Sequence, residues 1–180
     1  MSKTSPYGAL ERRSAEARAD DLARALPEQI TRARSLAGYE GTLADMTASD
    51  IRSVADLAAL PVLRKSDLSA AQAKNPPFGD YTTKPAREFT HVFQSPGPIY
   101  EPSSDAPDWW RMGRFLHAVG IGTQDIVQNC FGYHLTPAGA MFESGARAVE
   151  ATVIPAGTGQ TELQVAAARD IGATAYAGTP

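Results

Sequence analysis

Apolar positions along the chain change their period near residue 88. From residue 9 to 74 they recur at helical spacing, and from 89 onward short apolar runs alternate with helical stripes. Leu22, Ala25 and Leu26 share one helical face. Pro27 suits the first position of a second helix, which carries Ile30, Ala33 and Leu36 and ends at Gly38. Thr47, followed three residues later by Asp50, resembles a capping box for a helix bearing Ile51, Val54, Leu57 and Leu60, with Pro61 closing it. Ser66 is placed to cap a short helix from Asp67 to Ala73. Pro76, Pro77 and Pro85, with Gly79, then make a loop of the stretch from Asn75 to Arg87. The reading is a helical lead-in over residues 1–75, a linker loop over 76–88 and an α/β part over 89–180, forming one structural unit.

The α/β part opens with a strand candidate, Phe89 to Gln94, followed by a rigid loop from Ser95 to Pro102 with three prolines in eight residues. A helix is predicted from about Asp105 to Val119, with Trp109, Met112, Leu116 and Val119 as its core stripe. Apolar runs at Ile126 to Cys130, Thr152 to Pro155 and Thr174 to Ala177 are separated by two further helical patterns. That alternation predicts parallel strands joined by crossover helices. In the helix from about Pro137 to Val149, Met141, Phe142, Gly145 and Val149 form an apolar face, and Gly139 and Gly145 would allow close approach to the sheet. Thr158 or Thr161 is placed to cap the next helix. A parallel strand is normally covered on both faces and paired on both edges. A strand followed only by Gly178, Thr179 and Pro180 therefore reads as part of a larger domain, with an edge open to self-association or a second chain.

The fold class expected is α/β, a helical N-terminal lead-in followed by a partial parallel sheet flanked by helices. A formal net charge of −3 over 180 residues argues against a nucleic-acid or anionic-membrane partner. No apolar run approaches the roughly 20 residues that span a bilayer, and Met1 to Ala9 has no basic-then-apolar leader. The expected compartment is the cytoplasm. Cys130 is the lone cysteine and lies in an apolar strand pattern, where a buried thiol is the expected role. His91, His117 and His134 are scattered, so no metal site is expected.

A glycine-bearing loop between a strand and a helix is where a nucleotide phosphate often sits, since backbone amides and a helix N-terminus favour anions. The Ser95 to Pro102 loop reads as having that placement without the usual chemistry. It lacks Gly-Lys-Ser/Thr, Pro96 and Pro98 have no amide hydrogen, and Glu101 would repel a polyphosphate. A rigid turn and a phosphate cradle both stay open. The loop from Phe131 to Pro137 lies at the carboxyl end of a predicted parallel strand, where open α/β sheets bind ligands. Tyr133 and His134 there suit a partly polar pocket, or simply cap the strand. Ser144, His134 and Asp125 could make a hydrolase triad only in name, because Ser144 falls inside a helix pattern without a nucleophile elbow.

Four segments taken together resemble a known family: PVLRKSDL at Pro61 to Leu68, PPFG at Pro76 to Gly79, the SPGPIYEP loop, and NCFGYHLTPAGAMFESGARAVEATVIPAGTGQTELQV from Asn129 to Val165. They are similar to phenylacetate-CoA ligase-like enzymes of the adenylate-forming acyl-CoA synthetases, over about Ala25 to Pro180. The resemblance implies ATP, magnesium and coenzyme A as co-substrates and a small carboxylic acid as substrate. The acid would attack the α-phosphate of ATP to give an acyl-adenylate, and the coenzyme A thiol would then displace AMP. It places Ser95 and Gly97 in a degenerate phosphate loop, where only Ser95, Gly97 and Pro102 match the family. It also places Tyr133 and His134 against the acyl group. The family's adenine motif, ribose-binding aspartate and C-terminal lysine find no match within residues 1–180, so no catalytic residue is assigned and no cofactor is expected to bind tightly. The chain is thus expected to be an N-terminal part of such a ligase, inactive by itself. The alternatives are a non-catalytic acyl- or nucleotide-binding protein and one half of a split ligase.

Overall fold

The computed structural model describes residues 5–179. Backbone contacts divide the described residues into two units, one of Gly8–Glu88 with Gly97–Tyr100, the other of Phe89–Pro96 with residues 101–179 and residues 5–7.

In the helical unit, helix α1 (Ala15–Arg34) runs through Pro27 without a break. The expected second helix is a continuation of the first. Leu22, Leu26, Pro27, Ile30 and Ala33 all lie on the covered face, and that continuous stripe outweighs one missing backbone hydrogen bond. Ser14 caps the start, its hydroxyl accepting from the Ala17 amide at 3.1 Å. The helix ends at Arg34, before Gly38, and a short 3₁₀ turn follows at Ala37–Tyr39. Residues 47–60 do not form the expected helix. Two 3₁₀ turns, Ala48–Asp50 and Asp56–Ala59, stand in its place, and Thr47 makes no side-chain cap. The cause is local competition. The Asp56 carboxylate accepts from the Arg52 and Ser53 amides and from the Ser53 hydroxyl, which offers this backbone a turn instead of a helix. Ile51 is buried while Val54 stays exposed.

Helix α2 (Lys65–Lys74) begins one residue before Ser66, and Arg64 occupies its cap position without a side-chain bond. Gln72 on α2 is buried, and its amide clasps the Tyr100 backbone. Nε2 donates to the Tyr100 carbonyl at 2.9 Å and Oε1 accepts from the Tyr100 amide at 2.8 Å, which satisfies the buried group on both sides.

The α/β unit carries the sheet. Strands β1 (His91–Ser95) and β2 (Ile99–Ser103) pair as a two-stranded sheet, so Ser95 to Pro102 is a strand, a turn at Pro96–Pro98 and a second strand. Helix α3 is only Gly113–Ala118, much shorter than the expected Asp105–Val119. Asp108 and Arg111 take positive φ (52° and 59°), which no helix allows, and the Asp108 carboxylate accepts from the Gly113 amide at 2.9 Å. Of the expected stripe, Leu116 is buried, whereas Trp109 and Val119 are exposed.

The remaining elements are β3 (Ile126–Asn129), α4 (Ala138–Ala148), β4 (Thr152–Ile154), α5 (Thr161–Ile171) and β5 (Ala175–Ala177). The sheet order is β4-β3-β5 and both pairings are parallel, with Val127 opposite Val153 on one side and Ala175 on the other. The α/β class and the parallel sheet agree with the sequence reading. Leu116, Val127, Ala146, Val149, Ala151 and Ala177 form the core, with Phe131 and Phe142 stacked beside it at 4.5 Å. The two glycines of α4 serve loop and helix contacts instead of sheet contacts. A Cβ on Gly145 would lie 2.5 Å from Met112 Cβ, and one on Gly139 would lie 2.8 Å from the Gly132 carbonyl and the Tyr133 ring. Neither Thr158 nor Thr161 caps α5. Gln160 holds the cap position with φ 52° and no side-chain bond.

Pro27→Ala restores the missing amide hydrogen bond inside α1, so the unfolding free energy in urea should rise by about 1–3 kcal/mol. A fall instead would mean that the proline ring's packing outweighs the lost bond.

Candidate functional site

Strand β3 ends in a residue that is wholly buried and polar. Asn129 is 0% exposed, and each part of its amide is used. Nδ2 donates to the Tyr133 hydroxyl at 2.9 Å and to the Gly139 carbonyl at 2.8 Å, and Oδ1 accepts from the Phe131 amide at 3.2 Å. One side chain therefore ties the strand end, the loop after it and the first turn of α4. The loop closes on α4 through the Gly139 amide, which donates to the Gly132 carbonyl at 3.0 Å. Gly139 must be glycine for this approach, since a Cβ would meet the Tyr133 ring. Leu135, in the same loop, takes φ 57°, a left-handed conformation costly for a side chain of its size. The Gln94 amide holds it there by donating to the Leu135 carbonyl at 2.8 Å.

Beside this loop lies a cavity of about 580 Å³, lined by Tyr133, Trp110, His91, Glu143, Ser144 and Arg147 among others. Its size suits a small organic molecule, and its wall is built by the 104–110 stretch, α4 and Tyr133 from the loop after β3. Burial raises the Tyr133 phenol well above the ordinary tyrosine value. The nearby Glu143 carboxylate raises it further, against the opposing donation from Asn129. Asp108, also in the lining, accepts from the Tyr7 hydroxyl and the Gly113 amide.

The structure separates the sequence-predicted residues. Tyr133 is half-buried in the cavity wall, whereas His134 is exposed and outside the lining. Ser95 ends β1 and Gly97 sits in the hairpin turn with φ 146°, and neither lines the cavity. Lys65 stands beside Gly97, its Cε 2.9 Å from where a glycine Cβ would be. Lys65, Asn129, Glu143 and Arg147 fall inside the segments that carry the resemblance but received no role there, and Trp110 lies outside them; only the fold brings them to these places. Ser144 reaches the cavity, but Asp125 lies at the opposite end of β3, bonded to the Thr174 hydroxyl at 2.8 Å and the Gly122 amide at 2.9 Å. Those two donors, the amide first, hold its carboxyl below the usual range. Cys130 is buried, with Gln164 Oε1 at 3.2 Å, and Gln164 Nε2 holds the 157–160 turn through the Gly157 and Gly159 carbonyls. Among the described residues no cluster of His, Cys, Asp and Glu could hold a metal, and no helix is long and apolar enough to cross a membrane.

No family profile matches the sequence. Individual proteins do. Phenylacetate-coenzyme A ligase of Aromatoleum evansii is 32% identical over 128 residues, which cover 67% of this chain and 28% of that protein. The phenylacetate-coenzyme A ligases of Escherichia coli (strain K12) and Pseudomonas putida are 31% and 32% identical over the same length. The chain is phenylacetate-CoA ligase-like. Among solved structures, 2-hydroxyisobutyryl-CoA ligase in an open conformation with 2-HIB-AMP and CoA superposes with a TM-score of 0.86 at 25% identity. That match covers 100% of this chain and 42% of the other. The same ligase in its postadenylation state, with 2-HIB-AMP, also gives 0.86. The ligase-like chain thus has the fold of part of an adenylate-forming CoA ligase, and it spans 28% of the curated relatives' length.

Two outcomes test this ligase-like site. Gly139→Ala should displace the Tyr133 ring and lower stability by about 1–3 kcal/mol, measured by thermal unfolding. In an alkaline absorbance titration, Tyr133 should ionise above the usual tyrosine pH of about 10. The folded state holds that proton more tightly, so its contribution to stability is full below about pH 10 and is lost as pH rises further. Tyr133→Phe should flatten that part of the stability profile.

Proposed function

We propose that this chain carries the acyl-recognition part of an AMP-forming CoA ligase that activates a small carboxylic acid with ATP and transfers it to coenzyme A. The observation that carries this reading is the cavity walled by α4 and by Tyr133 from the loop after β3, in a chain similar to phenylacetate-CoA ligases. The neighbouring 2-hydroxyisobutyryl-CoA ligase complexes, which hold an acyl-AMP and CoA, support ATP and coenzyme A as the co-substrates. In this reading the acyl group rests against the Tyr133 ring and the Trp110 indole, and the Arg147 guanidinium supplies positive charge on the same wall. His134, being exposed, contacts the acid only at the margin.

The hairpin turn does not fit a triphosphate with its magnesium. Pro96 and Pro98 have no amide hydrogen to give, and Glu101 brings a carboxylate into β2. No step of phosphate chemistry is assigned to the turn. This misfit favours a second reading, an acyl-binding protein without adenylation.

The full-length product of the gene decides between them. Acid-dependent ATP–pyrophosphate exchange with phenylacetate is the expected result. Phenylacetate binding without exchange would select the second reading, and no binding of any small carboxylic acid would overturn both. In the exchange assay, Tyr133→Ala should raise the KM for acid about 10-fold, the equivalent of about 1.4 kcal/mol, and leave the KM for ATP nearly unchanged. His134→Ala should do less. Equal losses for acid and ATP would remove Tyr133 from the acyl pocket.

A further inference from the structure

One wall of the cavity, Ser104 through Asp108 with Trp110, contains neither helix nor strand. A wall of that kind keeps its shape only where side chains pin it. At its start the Asp105 amide donates to the Thr90 hydroxyl at 3.1 Å. At its end the Trp110 ring leans on Phe93, with the ring centroids 5.9 Å apart. Asp108 stands between them at φ 52°, a left-handed conformation that a side chain holds only when its surroundings impose it. Three bonds do so. The Gly113 amide donates to Oδ1 at 2.9 Å, the Tyr7 hydroxyl donates to Oδ2 at 3.5 Å, and the Arg111 amide donates to the Asp108 carbonyl at 2.7 Å.

Tyr7 lies 101 positions before Asp108 in the sequence. It packs against the core that holds Leu116, Ala146 and Val149, with its ring 5.6 Å from that of His117, and His117 Nε2 donates to the Ser5 carbonyl. Gly113 leaves room for this approach, since a Cβ there would lie 2.5 Å from the Tyr7 hydroxyl and 2.9 Å from Asp108 Oδ2. Burial and then the Asp108 carboxylate raise the Tyr7 phenol above the ordinary tyrosine value, so the hydroxyl keeps the proton it shares with Asp108. Tyr7 thus reaches a lining residue without lining the cavity itself.

We propose that Tyr7 and Asp108 are positioning residues that fix the 104–110 wall and the Trp110 ring in it, so that acid binding depends on an N-terminal residue that does not touch the acid. The proposal rests on the acyl-pocket reading for its ligand alone; the pinning of the wall is tested without one.

The experiment uses the full chain in a Trp109→Phe background, where Trp110 is the one tryptophan left of two. Trp109 is exposed and outside the cavity lining. The first readout is acrylamide quenching of Trp110 fluorescence. Asp108→Gly and Tyr7→Ala should each raise the quenching constant about 2-fold, and Tyr7→Phe, which keeps the ring and loses only the hydroxyl bond, should raise it less. Glycine adopts a φ of 52° freely, so a purely backbone role for Asp108 would leave Trp110 as protected as before in Asp108→Gly. Unchanged quenching in Asp108→Gly or in Tyr7→Ala overturns the proposal. If either variant fails to fold, Tyr7→Phe decides, and no rise there overturns it. The second readout is phenylacetate binding by calorimetry. Asp108→Gly and Tyr7→Ala should weaken it about 5-fold, and Asp108→Asn, which keeps an acceptor for the Gly113 amide, should stay within about 2-fold of the background protein. Both Asp108 variants remove the charge, so the difference between them reads the pinning alone. Undiminished binding where quenching has risen overturns the dependence of acid binding on the wall. Raised quenching in variants of a chain that binds no phenylacetate leaves the pinned wall standing and removes the acyl-pocket reading instead.

Discussion

The double parallel pairing of β3 is the constraint on which the rest of the α/β unit depends. With β4 on one edge and β5 on the other, β3 has its backbone groups committed on both sides, and Val127, Gln128 and Asn129 are buried. A strand so enclosed must deliver its last side chain into the interior. That side chain is Asn129, a polar group placed where water cannot satisfy it. An unpaired amide there would cost on the order of 1–3 kcal/mol, so the loop and helix that follow are shaped to supply its partners.

From that requirement the site follows. The Asn129 amide draws the Tyr133 hydroxyl, the Phe131 amide and the Gly139 carbonyl to one point, and Gly139 lacks the Cβ that would keep them apart. Leu135 is held in a left-handed conformation by the Gln94 amide, at a cost met by the ordered surroundings. The place of Tyr133 in the cavity wall is therefore a consequence of how one buried polar residue is satisfied. Burial of the Tyr133 phenol holds its proton more tightly, and the Asn129 donation opposes that rise.

Likeness to phenylacetate-coenzyme A ligases and to 2-hydroxyisobutyryl-CoA ligase sets the chemical context in which the hairpin is read. Pro96, Pro98 and Glu101 make a turn that is stiff and poor in donors. Lys65 approaches Gly97 from α2 within the helical unit, which sets a cation beside the turn from a distant part of the sequence.

The sequence by itself determined the class of the fold and the order of its elements from β3 to β5. Short apolar runs mark β3, β4 and β5 and helical patterns mark α4 and α5, and the quoted motifs sufficed for the resemblance. Tertiary structure decided what local patterns cannot encode. Pro27 stays within α1 because the buried stripe continues on both sides of it, whereas the Asp56 carboxylate turns residues 52–56 away from an equally plausible helix. Asp108 and Arg111 break the expected long helix before Gly113 through positive φ values that no spacing reveals. Tyr133 and His134 are neighbours in sequence with opposite fates, one in the cavity wall and one in solvent, because only Tyr133 meets Asn129. Asn129, Glu143 and Arg147 lie within the quoted segment, yet nothing local assigns them a role. Their roles arise from long-range packing, in which a side chain's meaning is set by partners that the fold, not the local sequence, brings within hydrogen-bond reach.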